Sequence, residues 1–150
     1  LMYQVTEAWD LMVTYGYLEA EYKDYLADLT GDGVITDNSG LIPRNTPENT
    51  FGFTTSYTTQ IGDGELKGRI SYRFRDEMNS DSSNNPYGDL DSIENVNATI
   101  GYTIDNYSVT IWGRNLTDER EQRWATIGGL TSRGWWNEPQ TLGITFAASY

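Results

Sequence analysis

Apolar residues recur at every second position through most of this chain. In the final stretch, Asn137 to Tyr150, they fall at Leu142, Ile144, Phe146, Ala148 and Tyr150, while Thr141, Gly143, Thr145, Ala147 and Ser149 make a small, mostly polar opposite face. A strand sends successive side chains to opposite sides, so this period of two predicts a ribbon with one greasy and one wet surface. Similar segments are predicted at about Trp9–Asp24, Asn49–Gln60, Glu65–Met78, Leu90–Thr103 and Tyr107–Asn115, with Leu1–Val5 as the end of an earlier strand. Trp9, Leu11, Val13, Tyr15 and Tyr17 form the apolar stripe of the first, and Phe51, Phe53 and Tyr57 that of the next. Leu66, Ile70, Tyr72 and Phe74 continue it, opposed by a fully hydrophilic face of Lys67, Arg69, Ser71, Arg73, Arg75 and Glu77. Val96, Ala98, Ile100 and Tyr102, then Tyr107, Val109 and Ile111, complete the pattern, with Trp112 and Arg114 on the wet side.

The connections alternate in length. Short turns are predicted at Thr6-Glu7-Ala8, Ile61-Gly62-Asp63-Gly64 and Ile104-Asp105-Asn106, where Gly64 and Asn106 tolerate the positive φ that hairpins require. Long loops are predicted at about Tyr25–Glu48, Asn79–Asp89 and Leu116–Trp136. In an up-and-down meander such alternation puts all the short turns at one end and all the long loops at the other, which is the asymmetry of outer-membrane barrels. The same two-faced strands would also suit a soluble sandwich with its apolar faces turned inward. Predicted lengths of about 9–16 residues, against a soluble mode of about 5–6, favour the barrel.

Composition sharpens the choice. Aromatic residues are 13% of the chain, with eleven Tyr and five Trp, rings whose polar ends suit an interface between lipid and water. No continuous apolar run approaches the roughly 20 residues of a membrane helix. A net charge of −12 disfavours nucleic acid as a partner, and the absence of Cys and His removes thiolate chemistry and the commonest general base and metal ligand. The chain opens on Leu1 in what already reads as strand, so it is expected to be a piece of something longer, completed by strands outside it, since known bacterial barrels have at least about 8.

Trp112-Gly113-Arg114-Asn115-Leu116-Thr117-Asp118-Glu119, followed by a loop and then Asn137-Glu138-Pro139-Gln140-Thr141-Leu142-Gly143-Ile144-Thr145-Phe146, resembles the end of TonB-dependent outer-membrane receptors. Gly16 to Asp24 and Ile42 to Thr50 are similar to that family's consecutive strand end and loop return. Gln140, Leu142 and Tyr150 stand where the family usually has Arg, an aromatic and Phe. The resemblance implies an all-β fold: an antiparallel up-and-down transmembrane β-barrel segment of about 6–7 strands from a roughly 22-stranded barrel. Its implied partners are an N-terminal plug and remaining barrel strands, TonB acting through that plug, a small nutrient ligand, and outer-membrane lipid and lipopolysaccharide. Phe146 and Tyr150 resemble the last-strand signal read by the barrel-assembly machinery. The implied role is energised uptake of a scarce nutrient, of siderophore, cobalamin or oligosaccharide class, and not catalysis.

Residues able to carry chemistry fall in three groups. Arg120, Arg123, Trp124, Arg133, Trp135 and Trp136 crowd one loop, where rings and guanidinium groups suit sugars, catecholates or anions; the alternative is an aromatic girdle with Arg paired to Glu119, Glu121 and lipopolysaccharide phosphates. Lys67, Arg69, Arg73, Arg75, Trp112 and Arg114 are expected to face the lumen or meet plug carboxylates. Asp28, Thr30 and Asp32 stand at the first, third and fifth positions of a calcium-type loop with Gly33 sixth, but Ser39 replaces the twelfth-position carboxylate, leaving Asp37 as a stand-in. Calcium in an extracellular loop is therefore the one cofactor considered, with an Asp/Gly-rich surface turn as the alternative. Asp76, Glu77, Asp89, Asp91 and Glu94 are the acids a glycosidase would draw on, and ordinary loop solvation also accounts for them. The rival readings are a secreted calcium-dependent carbohydrate-binding β-sandwich and a passive porin segment.

Overall fold

Alternating sequence becomes strand wherever both faces have a medium to suit them, and nearly every predicted stripe is part of one sheet. The computed structural model describes residues 1–128 and 131–149. Its strands are β1 (Met2–Thr6), β2 (Trp9–Tyr17), β3 (Leu26–Ala27), β4 (Thr36–Asp37), β5 (Asn49–Ile61), β6 (Gly64–Arg75), β7 (Met78–Asn79), β8 (Asp89–Leu90), β9 (Ile93–Ile104), β10 (Tyr107–Arg114), β11 (Gln122–Gly128), β12 (Thr131–Trp136) and β13 (Thr141–Ala148). Seven of them form one antiparallel sheet in the order β1-β2-β5-β6-β9-β10-β13. Each long strand thus lies beside its neighbour in sequence, the meander of an up-and-down barrel wall.

Register keeps the two faces apart. One row across the sheet runs Trp9, Tyr57, Gly68, Ile100, Ile111, Ile144. The next runs Asp10, Ser56, Arg69, Thr99, Trp112, Gly143. Directly paired residues share a side of the sheet, so apolar and polar rows alternate along the whole wall. Phe51, Ile70, Ile100, Ile111 and Phe146 are all exposed, from 37% to 79%, and do not converge on a dry centre. Among the described residues only Leu90 and Ile93 are buried apolar side chains. This is a membrane wall, with the apolar face outward and the polar face toward the lumen, and the sandwich reading falls with it.

Aromatic residues gather at both ends of the outward face. Tyr15, Phe51, Tyr72 and Phe74 lie toward the long loops, where Tyr15 donates to Asn49 Oδ1 at 2.7 Å and the Phe51 and Tyr72 rings sit 6.0 Å apart. Trp9, Tyr102 and Tyr107 lie toward the short turns; there Trp9 Nε1 donates to Thr55 Oγ1 at 2.7 Å and Tyr102 Oη donates to the Ile61 carbonyl at 2.9 Å. Leu11, Val13, Ile70 and Ile100 occupy the band between. Rings at two levels with aliphatic residues between them match the girdles of a membrane barrel.

Several boundaries differ from the sequence expectation. The strand expected over Trp9–Asp24 stops at Tyr17; the Leu18 amide still donates to the Glu48 carbonyl, and beyond it the chain bonds within its own loop, Tyr22 with Leu41 and Gly40. Leu90 belongs to the two-residue β8 paired with β7, and the long strand begins at Ile93. The last strand begins at Thr141, since Pro139 has no N–H to give a ladder. Positive φ falls on Gly62 and Asp105, not on Gly64 and Asn106. At Ile61–Gly64 the two turn residues are Gly62 and Asp63, and the positive value sits on the first, where a II′ hairpin needs glycine. Tyr150, half of the expected assembly signal, lies outside the described residues; Phe146 is exposed on the outward face of β13.

The orientation makes a direct prediction. In the intact barrel, Ile100→Arg places a charge against lipid and is expected to cost about 2–4 kcal/mol near the bilayer midplane, whereas Thr54→Arg on the inner face costs little. Urea-folding midpoints in phospholipid vesicles measure both, and a larger loss from Thr54→Arg would reverse the faces.

Candidate functional site

Wet-face residues of β6 and β10 supply the inner wall. Lys67, Arg69, Arg73 and Arg75 all occupy one side of β6, and Trp112 and Arg114 occupy the same side of β10. Trp112 lies flat beside Gly143, where any Cβ would strike the indole, and its Nε1 donates to Thr145 Oγ1 at 3.1 Å. The Arg114 guanidinium sits 5.2 Å from the centre of that ring, a cation–π contact. Arg75 behaves differently from the other cations. It donates to the Asp76 and Asp91 carbonyls and pairs with Glu121 at 3.3 Å, with both side chains largely buried. Its Nε is buried without a hydrogen-bond partner among the described residues, which leaves the ion pair to carry much of that charge.

Above the wall the loops are themselves built. The connection between β10 and β13 contains a hairpin, β11 with β12, that the sequence reading missed. Its signal was present in the short apolar and aromatic runs Arg123-Trp124-Ala125-Thr126-Ile127 and Arg133-Gly134-Trp135-Trp136 on either side of Gly128-Gly129, a glycine pair suited to a turn. Asn115 holds the base of this loop. It is 4% exposed with φ of 49°, and its Nδ2 donates to the carbonyls of Glu119 and Glu138 at 2.9 and 3.0 Å. Its Oδ1 accepts from Asn95, Thr117 and the Glu119 amide, while its own amide donates to Asn97 Oδ1 at 2.9 Å. One side chain therefore ties the outgoing strand, the loop's first turn and the returning segment together. Asn137 adds a second clasp, accepting from the Glu121 amide and donating to the Glu119 carbonyl. β11 also packs against β8 and the 3₁₀ turn Pro86–Gly88 of the neighbouring loop.

Of the loop residues singled out, Trp124, Arg133 and Trp135 come together. Trp124 pairs across the hairpin with Trp135, their rings 6.0 Å apart, and Arg133 is two residues from Trp135 on the same face. Trp135 is 73% exposed, so this face of rings and one guanidinium is open to a ligand. Trp136 alternates to the other face and is also exposed. Arg123 turns to Glu121 at 3.7 Å, and Arg120 stands exposed before the hairpin. Neither Trp135 nor Trp136 belongs to the seven-stranded wall.

The calcium-like segment is a closed turn flanked by the small β3–β4 pair. Asp28 accepts from the Gly31 and Gly33 amides at 2.6 and 2.7 Å and from Thr30 Oγ1, and Asp32 accepts from the Val34 amide. These bonds, the Gly33 amide foremost, hold the Asp28 carboxyl below its usual range. The Ser39 hydroxyl does the same for Asp37. The Asp37 and Asp28 carboxylates serve separate turns, and among the described residues no three acidic groups gather to hold a metal. Of the acids near the strand ends, Asp76 accepts from the Asn49 amide and side chain, and Asp89 from Asn79.

A seven-stranded wall with a greasy exterior, cationic interior and hydrogen-bonded outer loops defines a segment of a transmembrane β-barrel. Residues 1–116 match the family described as TonB dependent receptor-like, beta-barrel, and the chain belongs to that family. Its fold is similar to the crystal structure of the ferric yersiniabactin uptake receptor FyuA from Yersinia pestis, with a TM-score of 0.82 and 14% sequence identity over 99% of this chain and 22% of that one. The chain thus spans about a fifth of that receptor's length. No curated protein matches the sequence. Both the family and this neighbour are transport receptors.

Asn115→Ala removes the hub and forces a Cβ-bearing residue without a local polar partner into positive φ, at a cost of roughly 2–4 kcal/mol; protease sensitivity of the 116–140 loop should rise sharply in the intact receptor while the wall stays folded. For Asp28, whose folded-state value is depressed, the stabilising contribution is complete above about 3.9 and is lost as pH falls through the lower folded value. Amide signals of Gly31 and Gly33 followed through an acid titration check this, and a midpoint at or above the ordinary carboxylate value counts against it.

Proposed function

We propose that this chain is the carboxy-terminal part of the barrel of an outer-membrane receptor that takes up a scarce nutrient with energy delivered through TonB. The observation that carries this reading is the row-by-row separation of an apolar outward face from a cationic inner face, in a chain of this family. The outer loops would capture the ligand, with Trp124, Arg133 and Trp135 as its first contacts, and a plug contributed by the rest of the protein would control its passage. The ring pair suits a flat or sugar-like ligand, and the guanidinium an anionic group on it. Siderophore, cobalamin and oligosaccharide ligands all fit this description. Lipopolysaccharide phosphates are the proposed neighbours of Arg120 at the membrane surface, and Phe146 with Tyr150 the proposed contact for the assembly machinery.

The test uses the full-length receptor in cells with and without TonB, supplied in turn with an iron chelate, a corrinoid and an oligosaccharide as limiting nutrient. Accumulation of one of them that needs both receptor and TonB is expected. Accumulation without TonB would point instead to a passive pore. For the ligand so identified, Trp135→Ala is expected to weaken binding about tenfold, or about 1.4 kcal/mol, by equilibrium titration.

A further inference from the structure

We infer that a groove on the lipid-facing side of the wall seats one acyl chain of an outer-leaflet lipid as a fixed companion of the receptor. The inference rests on the outward orientation of the apolar face and is independent of the cargo. The groove measures about 460 Å³ and is lined almost entirely by apolar surface. Two successive outward rows of the sheet make it. One reads Tyr57, Gly68, Ile100, Ile111, and the other Thr55, Ile70, Ala98, Gly113, Leu142. The small residues Gly68, Ala98 and Gly113 leave a diagonal trough, with Ile70 on one side and Ile100 and Ile111 on the other. Arg69 and Thr99, which alternate with them along the strands, send their side chains to the opposite face.

Gly68 is the position that points outside the chain. A glycine within a strand weakens it and commonly marks a place where another group comes close. Elsewhere in the seven-stranded sheet that group belongs to this protein: a Cβ would strike Thr14 at Gly52, Thr110 at Gly101 and Trp112 at Gly143, and side chains fill the space at Gly16, Gly64 and Gly113 as well. At Gly68 a Cβ would meet nothing within 4 Å. Its two cross-strand partners, Tyr57 and Ile100, are both present and both leave the gap open.

Position and shape select the occupant. In a closed barrel further strands join a sheet at its free edges, and whatever fills the lumen meets the inner face. The groove lies on the outer face with strands of this chain around it, so the medium that reaches it is the bilayer. From Tyr57 on β5 to Leu142 on β13 it crosses four inter-strand spacings, roughly 19 Å. Strands of such walls tilt by about 35–45°, so a groove across them is oblique and drops on the order of 12 Å, most of one leaflet of a core about 30 Å thick. Its β10–β13 end reaches the outer edge of the wall: Gly113 is next to last in β10, and Leu142 second in β13, whereas Ile70 has five residues of β6 beyond it. A chain hanging from a headgroup beside Leu116 would follow the trough down to the Tyr57 ring at mid-wall. A helix, 10–12 Å across, is too broad for a gap one side chain wide. Within hydrocarbon the gain is dispersion, since a chain in the trough touches protein on three sides and one on a flat wall touches it on one.

Full-length receptor in vesicles of phosphatidylethanolamine and phosphatidylglycerol is irradiated with a trace of phosphatidylglycerol carrying a diazirine halfway along one palmitoyl chain, and labelled residues are mapped by mass spectrometry. Labelling at Ile70, Ile100 and Ile111 is expected to exceed that at Leu11, which shares the Ile70 row outside the groove, by about threefold or more. Gly68→Phe puts a ring into the open space and should remove the excess with the urea midpoint unchanged. Gly68→Val, a smaller plug, should lower it by about half, and Leu11→Phe should leave it intact. Equal labelling in and out of the groove, or an excess that survives both Gly68 variants, overturns the inference. Labelling in the groove below that at Leu11 means that a protein surface covers it, and the inference fails. A phosphatidylethanolamine probe with the same chain should give the same excess, and an excess seen with one headgroup only would replace the chain seat with a headgroup site. Labelling at Thr54 and Ser56 in place of Ile70 would show that the faces themselves are reversed, a separate failure.

Discussion

Hydrocarbon offers no partner to a peptide group, so every N–H and C=O that crosses the membrane must be bonded within the sheet. The rest of this structure depends on that constraint. It forces strands to pair in an unbroken ladder, and the ladder in turn fixes which residues face which medium. From Thr50 opposite Arg75 to Ile61 opposite Gly64, β5 and β6 pair without a bulge. A slip of one residue would exchange Arg69 for Ile70 at the lipid surface, so register and sidedness are the same property. The irregularity in the wall's pairing lies between Gln4 and Thr6, beside a short turn where the ladder ends anyway.

Charge is distributed by the same logic. The chain's net −12 conceals a separation, for Lys67, Arg69, Arg73, Arg75 and Arg114 stand on the inner wall while the acids concentrate in the connections. Arg75 and Glu121 mark the meeting point of these two regions, and their ion pair joins β6 to a loop that begins two strands away. The hairpin is thus tied to the wall from two directions, through Asn115 on its own strand and through Arg75 across the sheet.

Most of the wall was legible in the sequence because period-two alternation is a direct record of two media. Every long strand, the order of short and long connections and the shared face of Lys67, Arg69, Arg73 and Arg75 could be read from it. What escaped depends on contacts rather than period. Tyr17 ends its strand where the alternation changes phase, since Leu18, Ala20 and Tyr22 fall on the opposite parity from Trp9 to Tyr17. The β11–β12 hairpin was hidden by its charge and glycine, which read equally well as loop. Asn115 appeared only as part of a family-like run; nothing in its local sequence reveals that carbonyls at 119 and 138 converge on it. The Trp124, Arg133 and Trp135 surface was seen as a crowd of residue types, but its face could be assigned only once the hairpin pairing was known.

Asn115 reaches its loop mainly through main-chain atoms: the carbonyls of Glu119 and Glu138 and the amide of Glu119. Peptide groups are common to all residues, so this clasp is indifferent to which side chains the loop carries. Selection can therefore rewrite the outer surface, residue by residue, without loosening its attachment to the wall. The loop surface of this wall can therefore drift in sequence while its mooring stays fixed.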